Sequence, residues 1–225
     1  MLLSTRLILS IATLSMASIM APPSARAQAP KGFGVCVPRS QRIGRALGCF
    51  IVTERVIGPA DSLPLYWHVT QFASREQADA VRPPKGSVFE AFGKAWLMTL
   101  GAADMYPGAG TQVAAIGPLP VTPGVTYSAM YMEASMQPGM KSAVHRHSGP
   151  EAWHTLSGET YLETPLGTQV GRANGPPVIV SGGQPMELTA TGTALRRSLV
   201  LILHPAAEPP TTPDTTWVPK GLCRK

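Results

Sequence analysis

Short runs of alternating apolar and polar residues, separated by turn residues, fill most of this chain. The runs are rich in β-branched, aromatic and leucine side chains, and alternation of this kind favours strands. Proline and glycine, with 23 and 22 residues, interrupt the runs at short intervals, which favours short strands and turns over long helices. The pattern therefore predicts a mainly β protein.

Residues 28–116 are predicted to form a small α+β segment. A short helix opens at Ser74, has Gln77 at the position of a capping box, and stops before Pro83. So small a unit buries little core by itself, and we therefore expect it to pack on the rest of the protein. The strands expected in this segment are 49–56, 65–72, 87–92 and 94–100.

Residues 117–205 have the dense succession of strand patterns that is typical of a β-barrel or jelly roll. Three prolines between residues 116 and 124 make that stretch the expected boundary, because proline is excluded from central strands. The tail, residues 206–225, is rich in proline and threonine and is predicted to form an extended strap on the surface. The strands expected in the barrel are 126–136, 143–147, 152–156, 160–164, 169–172, 178–180, 186–190 and 198–204.

Residues 1–27 have the layout of a secretory signal peptide. A short segment with Arg6 precedes an uncharged apolar run, residues 7–21, and Ala25-Arg26-Ala27 provides the small residues that a signal peptidase requires. A membrane anchor is the competing interpretation, but the run is shorter than the ~20 residues that span a bilayer. We expect a secreted or periplasmic protein with no membrane span after cleavage.

The formal net charge is +6, and part of the positive charge is concentrated near the mature N-terminus. Lys31, Arg39, Arg42 and Arg45 all precede the first acidic residue, Glu54. Few aromatic residues lie among them, so nucleic acid is not an expected partner. A solvated basic arm and weak attraction to acidic lipids or polymers both stay open.

The mature chain has three cysteines, Cys36, Cys49 and Cys223. In an oxidising compartment two of them would pair, and the odd number leaves one thiol over. Cys36 with Cys49 closes the shorter loop and is favoured. A bridge from either of these to Cys223 stays open.

Two histidines and a glutamate stand close together in the barrel segment. His145 and His147 are two residues apart, so on a strand their side chains point to the same face. A turn at Ser148-Gly149-Pro150 follows, and Glu151 starts the next strand. Two imidazoles and a carboxylate are suitable ligands for a borderline transition metal. A pair of structural histidines on a polar strand is the alternative.

This spacing resembles the first motif of the cupin superfamily, which is a glycine, five residues, His-x-His, three residues, Glu, six residues and a glycine. The fixed positions are occupied here by Gly139, His145, His147, Glu151 and Gly158. The resemblance covers residues 125–205 and implies a cupin jelly-roll β-barrel. It also implies a bound divalent transition metal, which could be Fe, Mn, Zn or Cu.

The second cupin motif is degraded. Gly175 and Gly183 hold their places, but Ser181 and Ala190 stand where the motif has proline and asparagine. Met186 stands where a third histidine ligand would be. Three interpretations stay open: an open two-histidine, one-carboxylate site, a softer copper site completed by the Met186 thioether, or a vestigial site in which Met186 lines a ligand pocket.

The resemblance implies two classes of function and does not choose between them, because one fold hosts many functions. The first is a metal-dependent oxygenase or isomerase that acts on a small organic molecule. The second is a barrel that binds a small ligand or a metal without catalysis. A small molecule is the expected partner in both cases, no catalytic residue is assigned, and a homodimer stays open.

Other polar residues near the motif have more ordinary expected roles. His154 lies three residues after Glu151, so strand alternation turns it to the opposite face. Tyr127, Tyr131 and Glu133 share one face of the strand before the motif. They would line the pocket if that face points inward, and the sequence leaves the face undecided.

The signal peptide gives a direct prediction. Mature protein recovered from an extracytoplasmic fraction should begin at Gln28, because cleavage is expected after Ala27. Intact-mass and N-terminal peptide measurements by mass spectrometry check this. Mature protein that starts at Met1 and stays in the cytoplasm would contradict it.

Overall fold

The computed structural model of the protein describes residues 36–61 and 64–223, so the predicted signal peptide lies outside the described residues. The mainly β prediction is confirmed. Within these ranges, one α-helix, α1 (Arg75–Ala80), and a 3-10 turn at Arg39–Gln41 accompany the strands. The strands are β1 (Val37–Pro38), β2 (Gly48–Pro59), β3 (Tyr66–Phe72), β4 (Ser87–Ala91), β5 (Lys94–Gly101), β6 (Thr111–Ile116), β7 (Thr126–Met136), β8 (His145–His147), β9 (Glu151–Ser157), β10 (Glu159–Thr164), β11 (Gly167–Arg172), β12 (Val178–Val180), β13 (Glu187–Thr191), β14 (Arg196–Pro205) and β15 (Thr211–Pro213).

The described strands form four sheets. The largest has six strands in the order β1-β2-β7-β14-β9-β12, and we call it the central sheet. A second sheet has the order β4-β5-β3-β6, a third has β11-β10-β13, and β15 pairs with β8. Neighbours such as β7 and β14 are distant in sequence, so long-range pairing determines the fold.

The central sheet is buried on both faces. On β14, Leu199 and Leu201 enter one hydrophobic core, whereas Val200 and Ile202 enter another. Successive residues of a strand point to opposite faces, so the two cores lie on opposite sides of this sheet. Strand β7 divides in the same way, with Ala129 and Tyr131 in the first core and Met130 and Met132 in the second.

The first core is covered by the sheet of β3 to β6. Its side chains include Trp67 and Trp96, both of which are buried against the central sheet. The segment thus packs on the barrel, as its small size predicts. Helix α1 lies on this sheet, and the Ser74 hydroxyl accepts a hydrogen bond from the Gln77 backbone N–H at 3.3 Å, which confirms the predicted cap. Among the described residues, no helix is long and apolar enough to cross a membrane.

The second core lies inside the barrel. Leu162 of β10 and Leu188 of β13 face it from the wall opposite the central sheet. His145 bridges to Met186, immediately before β13, so β8 and β15 extend this wall. Two walls enclosing one apolar interior make a jelly-roll barrel, as the strand spacing predicts.

Two pairings cross the predicted domain limits. Strand β2, from the segment predicted as α+β, pairs with β7 from Gly48 opposite Ser135 to Pro59 opposite Thr126. The barrel's sheet therefore includes a strand that precedes residue 117, and the boundary itself stays a prediction. The tail, predicted to be an irregular strap, supplies β15. Strand β6 was not predicted, because its sequence Thr-Gln-Val-Ala-Ala-Ile does not alternate apolar and polar residues.

The N-terminal arm is attached to the barrel at two places. Cys36 and Cys49 form a disulfide, which is the favoured pairing, and Cys223 is a free thiol. Arg39 and Arg42 contact the buried carboxylate of Glu133, with N to O distances of 3.4 and 2.5 Å. This part of the basic arm is therefore paired rather than simply solvated.

Because the central sheet is buried on both faces, a mutation on the face that packs in the first core should lower the stability of the protein. Leu201 is 0 % exposed, so Leu201→Ala should lower the free energy of unfolding by about 2–5 kcal/mol. Leu166 is 85 % exposed, so Leu166→Ala should change it by less than about 0.5 kcal/mol. Urea denaturation measures both values. Equal effects of the two substitutions would contradict the layered arrangement.

Candidate metal centre

Strand β8 presents His145 and His147 towards the same side. Their rings lie edge to face, with centroids 4.9 Å apart. The strand is held on both flanks. On one flank the His145 N–H donates to the Met186 carbonyl at 3.2 Å, and the Met186 N–H donates to the His145 carbonyl at 2.8 Å. On the other flank, Thr211 of β15 pairs with His147.

Glu151 reaches the histidines because the chain turns sharply at Gly149. A Cβ at Gly149 would overlap the Leu203 carbonyl oxygen, so only glycine allows the turn to approach β14 this closely. Glu151 then begins β9, where its backbone pairs with Val180 on one side and Ile202 on the other. The central sheet therefore fixes the position of this carboxylate.

The three side chains converge. One ligand atom from each of His145, His147 and Glu151 lies within 4.8 Å of the others. The shortest recorded contact among them joins His147 Nε2 to Glu151 Oε2 at 3.4 Å. His147 and Glu151 are buried, and His145 is half-buried. The structure thus brings together the three residues that the sequence motif predicted.

Backbone carbonyls hold both imidazole rings from behind. His145 Nδ1 lies 2.8 Å from the Ala143 carbonyl oxygen, and His147 Nδ1 lies 2.8 Å from the Pro210 carbonyl oxygen. A carbonyl can only accept, so Nδ1 carries the proton in each ring and donates. Each Nε2 then keeps its lone pair for another partner, which is the usual arrangement of metal-binding histidines. The Thr211 hydroxyl also contacts His147 Nδ1, at 3.0 Å.

Two buried atoms of the cluster face each other without forming a hydrogen bond. His147 Nε2 and Glu151 Oε2 approach each other to 3.4 Å, but neither makes a hydrogen bond with any residue that the structure describes. Such groups are rare in folded proteins, and each costs about 1–3 kcal/mol. A divalent cation would satisfy both atoms, because a neutral imidazole nitrogen and a carboxylate oxygen are ordinary ligands of transition metals. The residues present therefore fit a divalent transition metal of any of the four expected kinds.

The pKa values follow from burial and from the mutual charges of the cluster. Burial, together with the neighbouring His147, lowers the pKa of His145. Burial also acts to lower the pKa of His147, but the charge of Glu151 and its contact outweigh it, so this pKa is raised. Burial acts to raise the pKa of Glu151, yet the two histidines and Arg196 hold it below its usual value. Glu151 is thus ionised at neutral pH.

Met186 lies on the same side of the wall as His145. The two residues are directly opposite in an antiparallel bridge, and such partners point their side chains to the same face. Met186 is 0 % exposed and packs within the second core. Its position is compatible with a thioether ligand and with simple packing, and its role as a ligand stays a prediction.

A cavity of about 220 Å³ adjoins the three side chains. Most of its walls are apolar, and they include Val144, Val200 and Ile202. Arg196 also lines this cavity, and the sequence analysis missed it. It is one of two successive arginines on β14, and only one of the two can face the barrel interior. Both faces of β14 are apolar after these arginines, so the sequence pattern does not show which of the two arginines faces the barrel interior.

The other residues considered near the motif lie outside the cavity. Tyr127 and Tyr131 belong to the first core, on the far side of the central sheet from the site. Glu133 shares that face and contacts the two arginines of the N-terminal arm. The face of β7 that carries these three residues, which the sequence left undecided, therefore points away from the barrel interior. His154 shares the face of Ala152, which packs in the first core, as strand alternation predicts.

No protein-family model matches the chain, and no curated protein matches it either. Solved structures of cupin and double-stranded β-helix proteins are similar to part of it. One is a conserved protein with a double-stranded β-helix domain from Klebsiella pneumoniae, with 18% identity, a TM-score of 0.33, and coverage of 38% of this chain and 69% of that one. Another is a cupin superfamily protein from Desulfitobacterium hafniense, with 13% identity, a TM-score of 0.31, and coverage of 34% and 67%.

A DMSP lyase from Ruegeria pomeroyi is also similar, with 20% identity and a TM-score of 0.33. The match covers 37% of this chain and 42% of the lyase. These overlaps include little more than a third of the chain. The chemistry of the site therefore has to be argued from its own residues.

Proposed function

We propose that this is an exported protein that binds one divalent transition metal through His145, His147 and Glu151 and acts on a small organic molecule in the adjoining cavity. The observation that carries the proposal is the pair of buried, unpartnered atoms, His147 Nε2 and Glu151 Oε2, 3.4 Å apart. A protein ligand set of three leaves coordination positions for water or substrate. A metal-dependent oxygenase or isomerase is the enzymatic form of this proposal.

The chain's own residues have defined tasks in such a site. The Ala143 and Pro210 carbonyls keep the two imidazoles in the tautomer that ligates through Nε2. The mostly apolar walls disfavour water in the cavity, which would strengthen electrostatic interactions inside it. The bound metal would supply Lewis-acid chemistry, or redox chemistry if it is iron, manganese or copper.

A non-catalytic barrel that holds a small ligand or a metal is the second candidate. The apolar lining of the cavity supports it, because mostly apolar walls with a few polar groups are typical of ligand-binding sites in general. Metal content alone does not separate the two candidates. Turnover of a bound small molecule would separate the enzyme from the non-catalytic barrel.

Export is part of the proposal and has support outside the signal sequence. The Cys36–Cys49 disulfide joins two cysteines that would stay reduced in most cytosolic proteins. An oxidising extracytoplasmic compartment allows this bridge to persist.

The ligand set predicts the behaviour of single histidine variants. Purified mature protein should contain about one metal ion per chain, and His147→Ala should lose it, because two remaining ligands seldom hold a borderline metal. His154→Ala is the matched control, since this histidine lies on the other face of β9 and should keep the metal. Elemental analysis after equilibration with Fe, Mn, Zn and Cu measures this. Protein that stays metal-free under all four conditions would contradict the metal centre.

Met186→His separates the interpretations of the second motif. If Met186 occupies a vacated ligand position, histidine should tighten Fe, Mn or Zn binding by about tenfold or more, because imidazole suits these metals better than a thioether. If Met186 is a copper ligand, the same change should weaken Cu(I) binding. Competition titrations with chelators measure both affinities. No change for any metal would show that Met186 only packs.

A further inference from the structure

Arg196 is a buried arginine at the edge of the proposed metal centre. It is 2 % exposed, begins β14, and lines the same cavity as His145, His147 and Glu151. Its backbone packs closely against Gly158, where a Cβ would lie 2.7 Å from the Arg196 N and Cα atoms. The cavity is therefore lined by a buried guanidinium group in addition to the candidate metal ligands.

One edge of this guanidinium has no partner. Nη1 donates to the Met136 sulfur at 3.3 Å. Nε and Nη2 are buried and have no hydrogen-bond partner in the part of the chain that the structure describes. These two nitrogens form the side of the guanidinium that can donate two parallel hydrogen bonds to a planar anion. The Ser198 hydroxyl, on the same face of β14, also lacks a partner.

The charge of Arg196 also lacks a direct counter-ion among residues 36–61 and 64–223. Burial lowers the pKa of Arg196 to about 10, against the opposing effect of Glu151, so the side chain is protonated at neutral pH. A buried charge without a hydrogen-bonded partner is strongly unfavourable. Glu151 shares the cavity, but no hydrogen bond joins it to Nε or Nη2. A metal held by Glu151 would add positive charge, and a second anion would then be needed.

We propose that the cavity binds a small organic carboxylate, and that Nε and Nη2 of Arg196 hold its carboxylate group through two hydrogen bonds. The inference deepens the proposed function and rests on it, because the same cavity adjoins the metal centre. A volume of about 220 Å³ admits only a small acid, since sites for drug-sized ligands occupy about 300–1,000 Å³. The apolar walls accommodate the rest of the molecule.

The experiment compares carboxylates with their neutral amides. Acetate, malonate and benzoate are titrated against acetamide, malonamide and benzamide by calorimetry, using the mature protein both metal-loaded and chelator-treated. At least one acid should bind about tenfold more tightly than its amide, because hydrogen bonds to a buried charge carry this discrimination. Inorganic phosphate is titrated as a competing anion.

Variants test whether Arg196 is responsible for the preference for an acid over its amide. Arg196→Met should abolish the preference for acid over amide, and Arg196→Lys should weaken it, because lysine keeps the charge but loses the two-nitrogen edge. Arg197→Met is the matched control. Arg197 is exposed on the other face of β14, so this variant should keep the full preference. Thermal melting shows that each variant is folded, and Arg196→Lys serves as the test if Arg196→Met is not.

Three results would overturn the inference. The first is that no acid in the panel binds more tightly than its amide. The second is that the preference survives unchanged in Arg196→Met and Arg196→Lys, so that the metal alone binds the anion. The third is that phosphate binds more tightly than every acid.

The metal proposal can fail independently, because elemental analysis of the same samples measures it. Metal-free protein that prefers acids through Arg196 would support the inference and refute the metal centre. Metal-loaded protein that shows no preference for acids over amides would refute the inference and support the metal centre.

Discussion

The burial of the central sheet on both faces is the constraint on which the rest of the structure depends. Residues of β14 such as Leu201 enter the core under the N-terminal sheet, while their neighbours such as Val200 enter the barrel. A shift of one residue in register would exchange the two sets and move charged groups into the wrong core. Because both faces are packed, the side chains that reach the barrel interior are strictly determined. Arg196 and Glu151 are among them, on adjoining strands of one sheet.

The barrel interior concentrates charge that an apolar core does not need for stability. Glu151 and Arg196 are buried, and His147 has its pKa raised by the neighbouring carboxylate. Replacing buried ionic groups by apolar ones is often neutral or stabilising, so stability alone does not account for their presence, which is compatible with a binding role. Four of the unpaired buried atoms belong to charged or metal-ligating residues that line the cavity: a nitrogen of His147 and an oxygen of Glu151, which are suited to a cation, and two nitrogens of Arg196, which are suited to an anion. The site thus has complementary groups for a metal and for an acid.

The tail supports the candidate metal centre. Strand β15 pairs with β8, and the Pro210 carbonyl orients the His147 ring. Arg146 lies between the two histidines and forms an ion pair with Asp214, just beyond β15. A segment that the sequence predicts as an irregular strap therefore holds one candidate ligand in place. Its contribution comes from backbone pairing, a carbonyl oxygen and the side chains of Thr211 and Asp214.

The sequence by itself determined the features that depend on local spacing. Alternation and turn residues placed most strands, including β7 with both of its ends, and the His-x-His spacing with the turn before Glu151 identified the three candidate ligands. The favoured Cys36–Cys49 bridge followed from the short loop. Each of these rests on interactions between residues close in the chain, where strand periodicity and turn geometry leave few alternatives.

Only the tertiary structure decided which face each strand turns to the barrel, that β2 joins the central sheet, and that β15 supports His147. Both faces of β7 and of β14 carry several apolar residues, so the sequence pattern does not show which face of each strand points into the barrel. Tyr131 was therefore a candidate for the pocket and lies outside it, while Arg196 was overlooked and lies inside. Pairing between strands distant in sequence fixes this phase, because register is set by packing on both faces and not by the strand's own residues.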